Sequence, residues 1–441
     1  MRSRSLIGLF VAFSLWAAPL HAAGRLILRV NGGRTVAQTV CFLAGCSVAQ
    51  GLDGTLGQLF LVTTPLNVNI NGVLNLLSSL LGVVGVEVDQ VAQLSGTASI
   101  PPALLDTTPI SYYGSTVPHG YVFQPATENI HLSQMRAAFP NATGAGIVAI
   151  IDTGVDTQHP ALQSVLLPGY DFTRNQSGAD EKRDVSLTST PVTTGVSPNW
   201  VSGSGTGDVS QSTAAVVDQS TAAVVDGNPQ LSDFGHGTMV TGLVHLVAPT
   251  ARILPLKAFR SDGTGYLSDI LRAVYTALGA HANVLNMSFS LSSYSPEVAF
   301  ALNLGTLTGT ISVAAAGNNG QNTLVYPAAL SNVMGVASTD NNSQLSLFSN
   351  YGSQAVWLAA PGEGVVTTYP FSTYAAAWGT SFSTPLVSGL ASSLLSINIF
   401  CDQYSGAASA AHATPMTSAA GHGQLDLYQA MSSWSLAVGG N

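Results

Sequence analysis

Residues 147–154 read IVAIIDTG, an apolar run that leads directly into an aspartate and then a glycine. From here onward, strand-like apolar runs alternate with segments of helical periodicity. The strand candidates are Ile147–Ile151, Ile253–Phe259, Val284–Met287, Ile311–Ala315, Val333–Ser338 and Val356–Ala359, and the helix candidates include Thr238–Val247, Leu267–Ala280, Pro296–Leu304 and Phe382–Ile397. Apolar strands separated by helices are typical of a parallel sheet that is buried on both faces. The sequence therefore predicts an α/β fold, a parallel β-sheet flanked by helices on both faces, with its site beyond the carboxyl ends of the strands.

The composition is that of a globular protein with few charges. The 441 residues are 46% hydrophobic and only 8% charged, and the net charge is −9, whereas an ordinary soluble domain has roughly 25% charged residues. This length allows two or three domains, or one large domain with an appendage. Because Lys and Arg do not cluster beyond Arg2 and Arg4, a nucleic-acid partner is disfavoured.

The three cysteines, Cys41, Cys46 and Cys401, are too few for a disulfide-built scaffold. Cys41 and Cys46 either pair with each other or serve as two small apolar residues on or beside a helix. No histidine lies near either of them in the sequence, so we expect no metal site there.

The N-terminus has the three parts of a secretory signal peptide. Met1–Ser5 is basic, Leu6–Leu20 is apolar, and Ala22 and Ala23 supply small residues for cleavage. A membrane anchor is the alternative, but the apolar run is shorter than the roughly 20 residues that span a bilayer. We therefore expect residues 1–23 to be removed and the mature protein to be secreted to the extracellular space, without membrane attachment.

The rest of the chain divides into three parts, one of which carries an insertion. Residues 24–95 interleave strand-like and helical segments and predict a small α+β domain. Residues 96–122 are rich in Pro, Thr, Ser and Gly and predict a linker. Residues 123–441 carry the α/β pattern. Within them, residues 186–230 predict a surface loop or β-hairpin insertion, in which residues 211–226 repeat the octad QSTAAVVD in tandem.

Three short segments carry residues typical of nucleophilic catalysis. Asp152 follows a strand, where a carboxylate can orient a histidine and stabilise its charged form. His236 lies between two glycines at the start of an amphipathic helix, and histidine has a pKa suited to a general base. Ser381 lies at a helix N-terminus, where free amides and the helix dipole favour negative charge on an attacked carbonyl. Taken singly, each also fits an ordinary role: a turn aspartate, a structural histidine and an N-cap serine.

Together the segments resemble the blocks of the subtilisin-like serine peptidases, the subtilases, which have the order Asp, His, Ser; this order is the known one for subtilisin. The resemblance covers roughly residues 144–395 and also includes Asn286-Met287-Ser288, Val313–Gly320, Tyr326-Pro327-Ala328, Phe348–Gly352 and Ala360-Pro361-Gly362. It implies a serine endopeptidase that works through an acyl-enzyme. Asp152 would be the orienting carboxylate, His236 the general base and then acid, and Ser381 the nucleophile.

The resemblance also implies the rest of the site. Asn318 and the backbone N–H of Ser381 would form the oxyanion hole, and no cofactor would be required. The substrate backbone and the residue before the scissile bond would contact two further segments. The substrate-binding residues that the resemblance implies are Ser288, Phe289, Ser290, Ala315, Ala316 and Gly317.

Subtilases commonly carry a small propeptide that assists folding and inhibits the enzyme until it is cleaved. Residues 24–95 have the size and position of such a propeptide, and residues 96–122 would contain the processing site. An ordinary accessory domain is the alternative for residues 24–95. The expected partners are polypeptide substrates and the chain's own propeptide as an intramolecular inhibitor, and we expect a monomer.

The sequence departs from the family pattern at two places. Many members have a calcium-binding aspartate where this chain has Ala161, so that site does not carry over. Acidic residues of the long loop are either other calcium ligands or, as we favour, solvated charges; they are Asp180, Glu181, Asp184, Asp208, Asp218 and Asp226. After Ser288, Phe289-Ser290-Leu291 stands where the family usually has a glycine, so specificity does not transfer. We expect neutral or apolar residues before the cleaved bond.

Two other functions fit parts of this pattern. A catalytically silent binding protein on the same fold would usually lack a triad residue, and none is missing here. A lipase or esterase would place its serine in G-x-S-x-G before the aspartate and histidine. Ser381 comes last and lies in Gly-Thr-Ser-Phe-Ser, so the endopeptidase is favoured.

Overall fold

The structure is a computed structural model that describes residues 25–51, 57–65, 68–88, 101–185, 213–216, 231, 233–291, 293–397 and 420–439. The chain divides into two compact units, residues 1–96 and residues 97–441. The predicted signal peptide, Cys401 and most of the predicted insertion lie outside the described residues. Within the described ranges, none of the helices has the length and apolar character needed to cross a bilayer.

The N-terminal unit is a four-stranded antiparallel sheet with two helices. Its elements in chain order are β1 (Arg25–Val30), α1 (Gly33–Ala44), β2 (Ser47–Gly51), β3 (Leu59–Thr63), α2 (Ile70–Ser79) and β4 (Val83–Val88), with the sheet order β2-β3-β1-β4. Cys41 and Cys46 are free thiols and lie buried in the apolar core of this unit, beside Leu28 and Leu77. The two thiols are neighbours that share a hydrogen bond, without a disulfide between them.

The second unit is larger and contains the α/β pattern. Its helices are α3 (Pro102–Leu105), α4 (His119–Val122), α5 (Pro125–Asn129), α6 (Leu132–Ala138), α7 (His236–Val247), α8 (Leu267–Gly279), α9 (Pro296–Leu307), α10 (Thr380–Leu395) and α11 (Leu427–Gly439), with a 3₁₀ helix at Glu181–Asp184. Its strands are β5 (Pro109–Tyr112), β6 (Ser115–Pro118), β7 (Ile147–Asp152), β8 (Tyr170–Asp171), β9 (Gln176–Ser177), β10 (Thr213–Val216), β11 (Arg252–Lys257), β12 (Val284–Met287), β13 (Ile311–Ala315), β14 (Val333–Thr339), β15 (Leu358–Pro361), β16 (Val365–Tyr369) and β17 (Thr373–Trp378).

The central sheet has eight strands in the order β15-β14-β13-β12-β7-β11-β8-β9. All neighbouring pairs are parallel except the short edge pair of β8 and β9. The predicted α/β fold with a parallel sheet is confirmed. The predicted strand Val356–Ala359 begins later than expected, as β15.

The apolar runs of the strands are explained by burial on both faces of the sheet. In β7, Val148 and Ile150 lie in one core cluster, whereas Ala149 and Ile151 lie in a second cluster on the opposite face. Successive side chains of a strand point to opposite faces, so a doubly covered strand must be apolar throughout. Helix α10 is buried along its whole length, as expected for a helix in the interior of this unit.

Residues 101–122 differ from the linker that their composition predicts. They form α3, the hairpin β5–β6 and α4, and Leu104 and Tyr121 are buried in the main core. The composition misleads because Pro102 is the first residue of a helix, where proline is tolerated, and Gly114 takes a positive φ of 86° in the hairpin turn, which suits glycine. Of the predicted insertion, β10 is described, and it pairs antiparallel with β17.

Candidate active site

Asp152 is the last residue of β7 and lies at the carboxyl edge of the sheet. Its side chain is buried, and Oδ1 accepts a hydrogen bond from the Thr153 backbone N–H at 2.7 Å. Its backbone carbonyl oxygen accepts from the N–H groups of Ala258 and Phe259, at 3.0 and 3.2 Å, just after the neighbouring strand β11. Two adjacent strands therefore fix the carboxylate in place.

His236 is the first residue of α7, and its ring meets the Asp152 carboxylate. The distance from His236 Nδ1 to Asp152 Oδ1 is 2.7 Å. Residues 152–154 form the turn after β7, which we call the aspartate turn. The start of α7 approaches this turn very closely, since a Cβ on Gly237 would lie 1.9 Å from the Gly154 carbonyl oxygen. Glycine at position 237 is therefore required for the contact between the histidine and the aspartate.

The charges around His236 favour its protonated form. Burial by itself lowers the pKa of His236, but the charge and hydrogen bond of Asp152 outweigh burial, with additions from Asp233 and Glu181. Together these carboxylates raise the pKa of His236 above its ordinary value of 6.5. A carboxylate on Nδ1 also selects the tautomer in which Nε2 can accept a proton. The pair is chemically suited to general base catalysis.

Ser381 is the second residue of α10, and the next residue, Phe382, packs its ring against the His236 ring. The Phe382 and His236 ring centroids are 5.3 Å apart. The Ser381 side chain is buried, and its hydroxyl donates to the Ser288 backbone carbonyl oxygen at 2.9 Å. A hydroxyl has one proton to donate, so in this state it is directed to Ser288 rather than to His236. Transfer of that proton to His236 requires the hydroxyl to rotate.

The first turn of α10 is held by a residue outside the helix. In a regular helix the Ser381 carbonyl oxygen would accept from the N–H four residues later, but that residue is Pro385, which has none. The Ser288 hydroxyl donates to this carbonyl oxygen instead, at 2.8 Å. Asn286 donates to Ser288 Oγ at 3.0 Å and accepts from the Ser388 hydroxyl at 2.8 Å. This buried chain of hydrogen bonds fixes Ser381 relative to Ser288.

Asn318 lies beside the same helix start. Its side-chain oxygen accepts from both the backbone N–H and the hydroxyl of Thr380, each at 2.9 Å. These two contacts set the orientation of the Asn318 amide at a helix N-terminus, a position that favours an anionic oxygen.

The predicted substrate-binding residues lie at the ends of two neighbouring strands. Strands β12 and β13 pair in parallel, so the segments that follow them emerge at the same edge of the sheet as Asp152. One segment follows β12 and the other ends β13. Their residues are all buried or glycine, and they are Ser288, Phe289, Ser290, Ala315, Ala316 and Gly317.

The acidic residues before the predicted insertion are not all solvated, contrary to expectation. Glu181 is fully buried, and the Asp184 carboxylate pairs with the buried Lys257 Nζ at 2.8 Å. Lys257 Nζ also donates to the carbonyl oxygens of Thr153 and Phe259, at 2.6 and 2.8 Å. For Glu181 and Asp184 the prediction of solvated charges was wrong, because their partners come from other segments of the chain.

A calcium site is not apparent in the described part of the chain. Ala161 is buried in the apolar core, and no group of three or more His, Cys, Asp or Glu side chains there is arranged to hold a metal ion. Asp180 accepts from the Lys182 N–H and caps the 3₁₀ helix. Asp208, Asp218 and Asp226 lie outside the described residues.

Three buried residues support the site without having been predicted as site residues. Asn286 belongs to a block that resembles the subtilases, so the block itself was an available signal. Ser388 lies within the predicted helix Phe382–Ile397, where the sequence pattern gives no signal for a site residue. Glu181 lies in a polar stretch that is typical of a solvated loop.

The second unit is similar to known proteins. A family model described as the subtilase family matches residues 144–429. Thermitase of Thermoactinomyces vulgaris is 34% identical over 274 residues, which cover 60% of this chain and 80% of thermitase. The thermophilic serine proteinase of Bacillus sp. (strain AK1) is 33% identical over 249 residues, which cover 56% of this chain and 52% of that protein. Subtilisin BL of Lederbergia lenta is 38% identical over 175 residues, which cover 37% of this chain and 65% of that protein.

A solved structure shares the fold at low sequence identity. The crystal structure of a lanthipeptide protease superposes with a TM-score of 0.52 at 19% identity, and the match covers 70% of this chain and 96% of that chain. At this level of identity the likeness supports the architecture of the parallel sheet and its helices.

Proposed function

Since the chain belongs to the subtilase family of serine-type endopeptidases, we propose that it hydrolyses peptide bonds through an acyl-enzyme formed on Ser381. Asp152 holds His236 and stabilises its charged form, while His236 takes the proton of Ser381 and returns it to the leaving amine. The observation that carries this proposal is the 2.7 Å contact between His236 Nδ1 and Asp152 Oδ1, beside the helix start that carries Ser381.

The oxyanion of the tetrahedral intermediate would be stabilised at the N-terminus of α10. The Ser381 backbone N–H and the Asn318 side-chain amide are the proposed donors, and the Thr380 contacts of Asn318 support this role. In subtilisin, itself a member of this family, loss of the corresponding donor costs roughly 10²–10³ in kcat.

Polypeptides are the proposed substrates. Ser288, Phe289 and Ser290 would accompany the substrate backbone, and Ala315–Gly317 would line the pocket for the residue before the scissile bond. The pocket-lining residues are small and uncharged. We therefore expect cleavage after neutral or apolar residues.

Export and self-processing complete the proposal. The signal-like composition of residues 1–23 supports secretion. The separate compact unit of residues 1–96 supports an inhibitory propeptide that is removed by cleavage before the catalytic domain.

The test compares the exported full chain with its Ser381→Ala variant by mass, by fluorophosphonate labelling and by hydrolysis of casein. The wild-type chain should lose both the signal and the N-terminal unit, take the label and cleave casein. The Ser381→Ala variant should keep the N-terminal unit and do neither. Ser383→Ala is the matched control, because the Ser383 hydroxyl on the same helix donates to the Pro361 carbonyl oxygen.

Two outcomes would contradict the proposal. Equal processing and equal cleavage by the wild-type chain and Ser381→Ala would exclude Ser381 as the nucleophile. A folded wild-type chain that neither takes the label nor cleaves casein would instead favour a silent binding protein.

A further inference from the structure

Glu181 is a buried carboxylate for which the proposed mechanism has no use. Its side chain is 0% exposed, and it lies between the aspartate turn and the start of α7. Oε2 accepts from the Thr153 hydroxyl at 3.0 Å and from the Gly235 N–H at 3.1 Å. Oε1 accepts from the Thr238 N–H at 3.1 Å and also from the Thr238 hydroxyl.

These contacts reach both members of the pair formed by Asp152 and His236. Thr153 directly follows Asp152, and its hydroxyl oxygen accepts from the Gly237 N–H at 2.9 Å. The N–H groups of a helix start have no partner within the helix, and a carboxylate there is stabilised by the helix dipole. Glu181 therefore caps α7 and joins it to the aspartate turn.

The groups that face Glu181 all donate hydrogen bonds to it. An ionised carboxylate can accept all of them, whereas a carboxamide would point its own N–H groups at a donor. Burial raises the pKa of Glu181 to about 7, against the bonds from Thr238 and Thr153 and the charge of Lys257. The hydrogen bonds thus offset part of the effect of burial, and Glu181 remains harder to ionise than an ordinary glutamate.

We propose that Glu181 is a positioning residue that holds His236 against Asp152 and makes its imidazole more basic. This inference rests on the proposed role of His236 as the general base. The negative charges that face His236 are those of Asp152, Asp233 and Glu181. The buried cation beside Glu181 is Lys257, which pairs with Asp184. Removal of the Glu181 charge should therefore weaken the affinity of His236 for a proton.

The direct test is an NMR titration of the His236 ring in the full-length Ser381→Ala chain, with and without Glu181→Gln. We expect Glu181→Gln to lower the pKa of His236, because a nearby negative charge that favours the imidazolium is lost. Glu128→Gln is the control, because it makes the same chemical change at an exposed position of α5 and should leave the titration unchanged. An unchanged His236 titration in Glu181→Gln would overturn the proposal.

The active chain gives a second measurement. In Glu181→Gln the acid limb of the pH profile of kcat/KM should move to lower pH by the same amount. The value of kcat should fall, whereas KM should stay the same. Glu181→Asp keeps the charge and should keep the acid limb in place. A purely structural role predicts lower activity at every pH with no movement of the limb, which would refute the proposal. If the wild-type chain cleaves nothing, the proposed function fails, but the NMR titration still decides the role of Glu181.

Should Glu181→Gln fail to fold, the Ser381→Ala chain alone decides the question. Glu181 accepts from the Thr238 N–H at the helix start that carries His236, and its charge raises the pKa of His236. The His236 resonance should therefore move in two steps across the pH range in which both groups titrate. A single step would show that the Glu181 charge does not act on His236.

Discussion

At the scale of single residues, Ser381, the proposed nucleophile, is positioned through its backbone as well as its side chain. Pro385 removes the helical donor for the Ser381 carbonyl oxygen, and the Ser288 hydroxyl supplies a replacement at 2.8 Å. The Ser288 carbonyl oxygen in turn accepts a hydrogen bond from the Ser381 hydroxyl. Two serines from distant parts of the chain therefore fix each other, and each bond restrains the orientation of Ser381.

Ser288→Ala should destabilise the fold by about 1–3 kcal/mol, because the buried Ser381 carbonyl oxygen loses its donor. Urea unfolding in the Ser381→Ala background measures this, since that background keeps the carbonyl and excludes autolysis. Ser312→Ala is a matched control, because the Ser312 hydroxyl is buried without a hydrogen-bond partner among the described residues. Equal losses in the two variants would show that the bond from Ser288 contributes nothing.

At the scale of elements, the site depends on the contact between α7 and α10, which carry His236 and Ser381. The two helices approach closely at a glycine, since a Cβ on Gly389 would lie 2.6 Å from Val247 Cβ. The glycine at 389 therefore sets the distance between the two helices, and with it the distance between His236 and Ser381.

Gly389→Ala should push α10 away from α7, lower stability by about 1–3 kcal/mol and reduce kcat/KM. Thermal unfolding and peptide hydrolysis measure the two effects. Gly279→Ala provides the comparison, because a Cβ at that helical position meets nothing within 4 Å and should be neutral or slightly stabilising. If Gly389→Ala behaves like Gly279→Ala, the helix spacing does not depend on this glycine.

The sequence predicts elements well where burial leaves a periodic pattern. Strands β7, β12 and β13 were predicted because both of their faces are covered, which requires unbroken apolar runs. Residues 101–122 were not, because turn-forming residues are common both in linkers and in short packed elements. Asp152, His236 and Ser381 could be proposed from local signals at strand and helix ends. Glu181 could not, because its hydrogen-bond donors come from two other segments and leave no local pattern.

At the scale of the whole molecule, a buried histidine makes stability depend on pH. His245 on α7 is packed against Tyr112 and shares a hydrogen bond with the Tyr121 hydroxyl at 3.3 Å. Burial lowers the pKa of His245 to about 3, with smaller contributions from the charges of Arg136 and His159. The helix and residues 101–122 are thus joined by an imidazole that stays neutral in the folded protein.

Acid should therefore unfold the protein in part through His245. Its folded pKa is below the unfolded value of 6.5, so its contribution is complete above pH 6.5 and is lost as the pH falls towards 3. Linkage puts the loss at up to about 5 kcal/mol. The free energy of unfolding can be measured in urea at pH 8 and at pH 4 in the Ser381→Ala background. Its difference between the two pH values should be smaller in the chain that also carries His245→Gln. The exposed His281 offers a control, because His281→Gln should keep the full difference; equal differences in all three chains would contradict the assignment.

The buried Lys257 gives the folded protein an unusual chemical property. The sequence contains two lysines, Lys182 and Lys257, and the second has no exposed surface and uses its three protons on Thr153, Asp184 and Phe259. An ammonium group held in this way cannot react with an acylating reagent until the surrounding structure opens. The rate at which Lys257 becomes labelled therefore reports how often the structure around Thr153, Asp184 and Phe259, next to Asp152, opens. The measurement is simple to interpret because the protein has few other reactive amines.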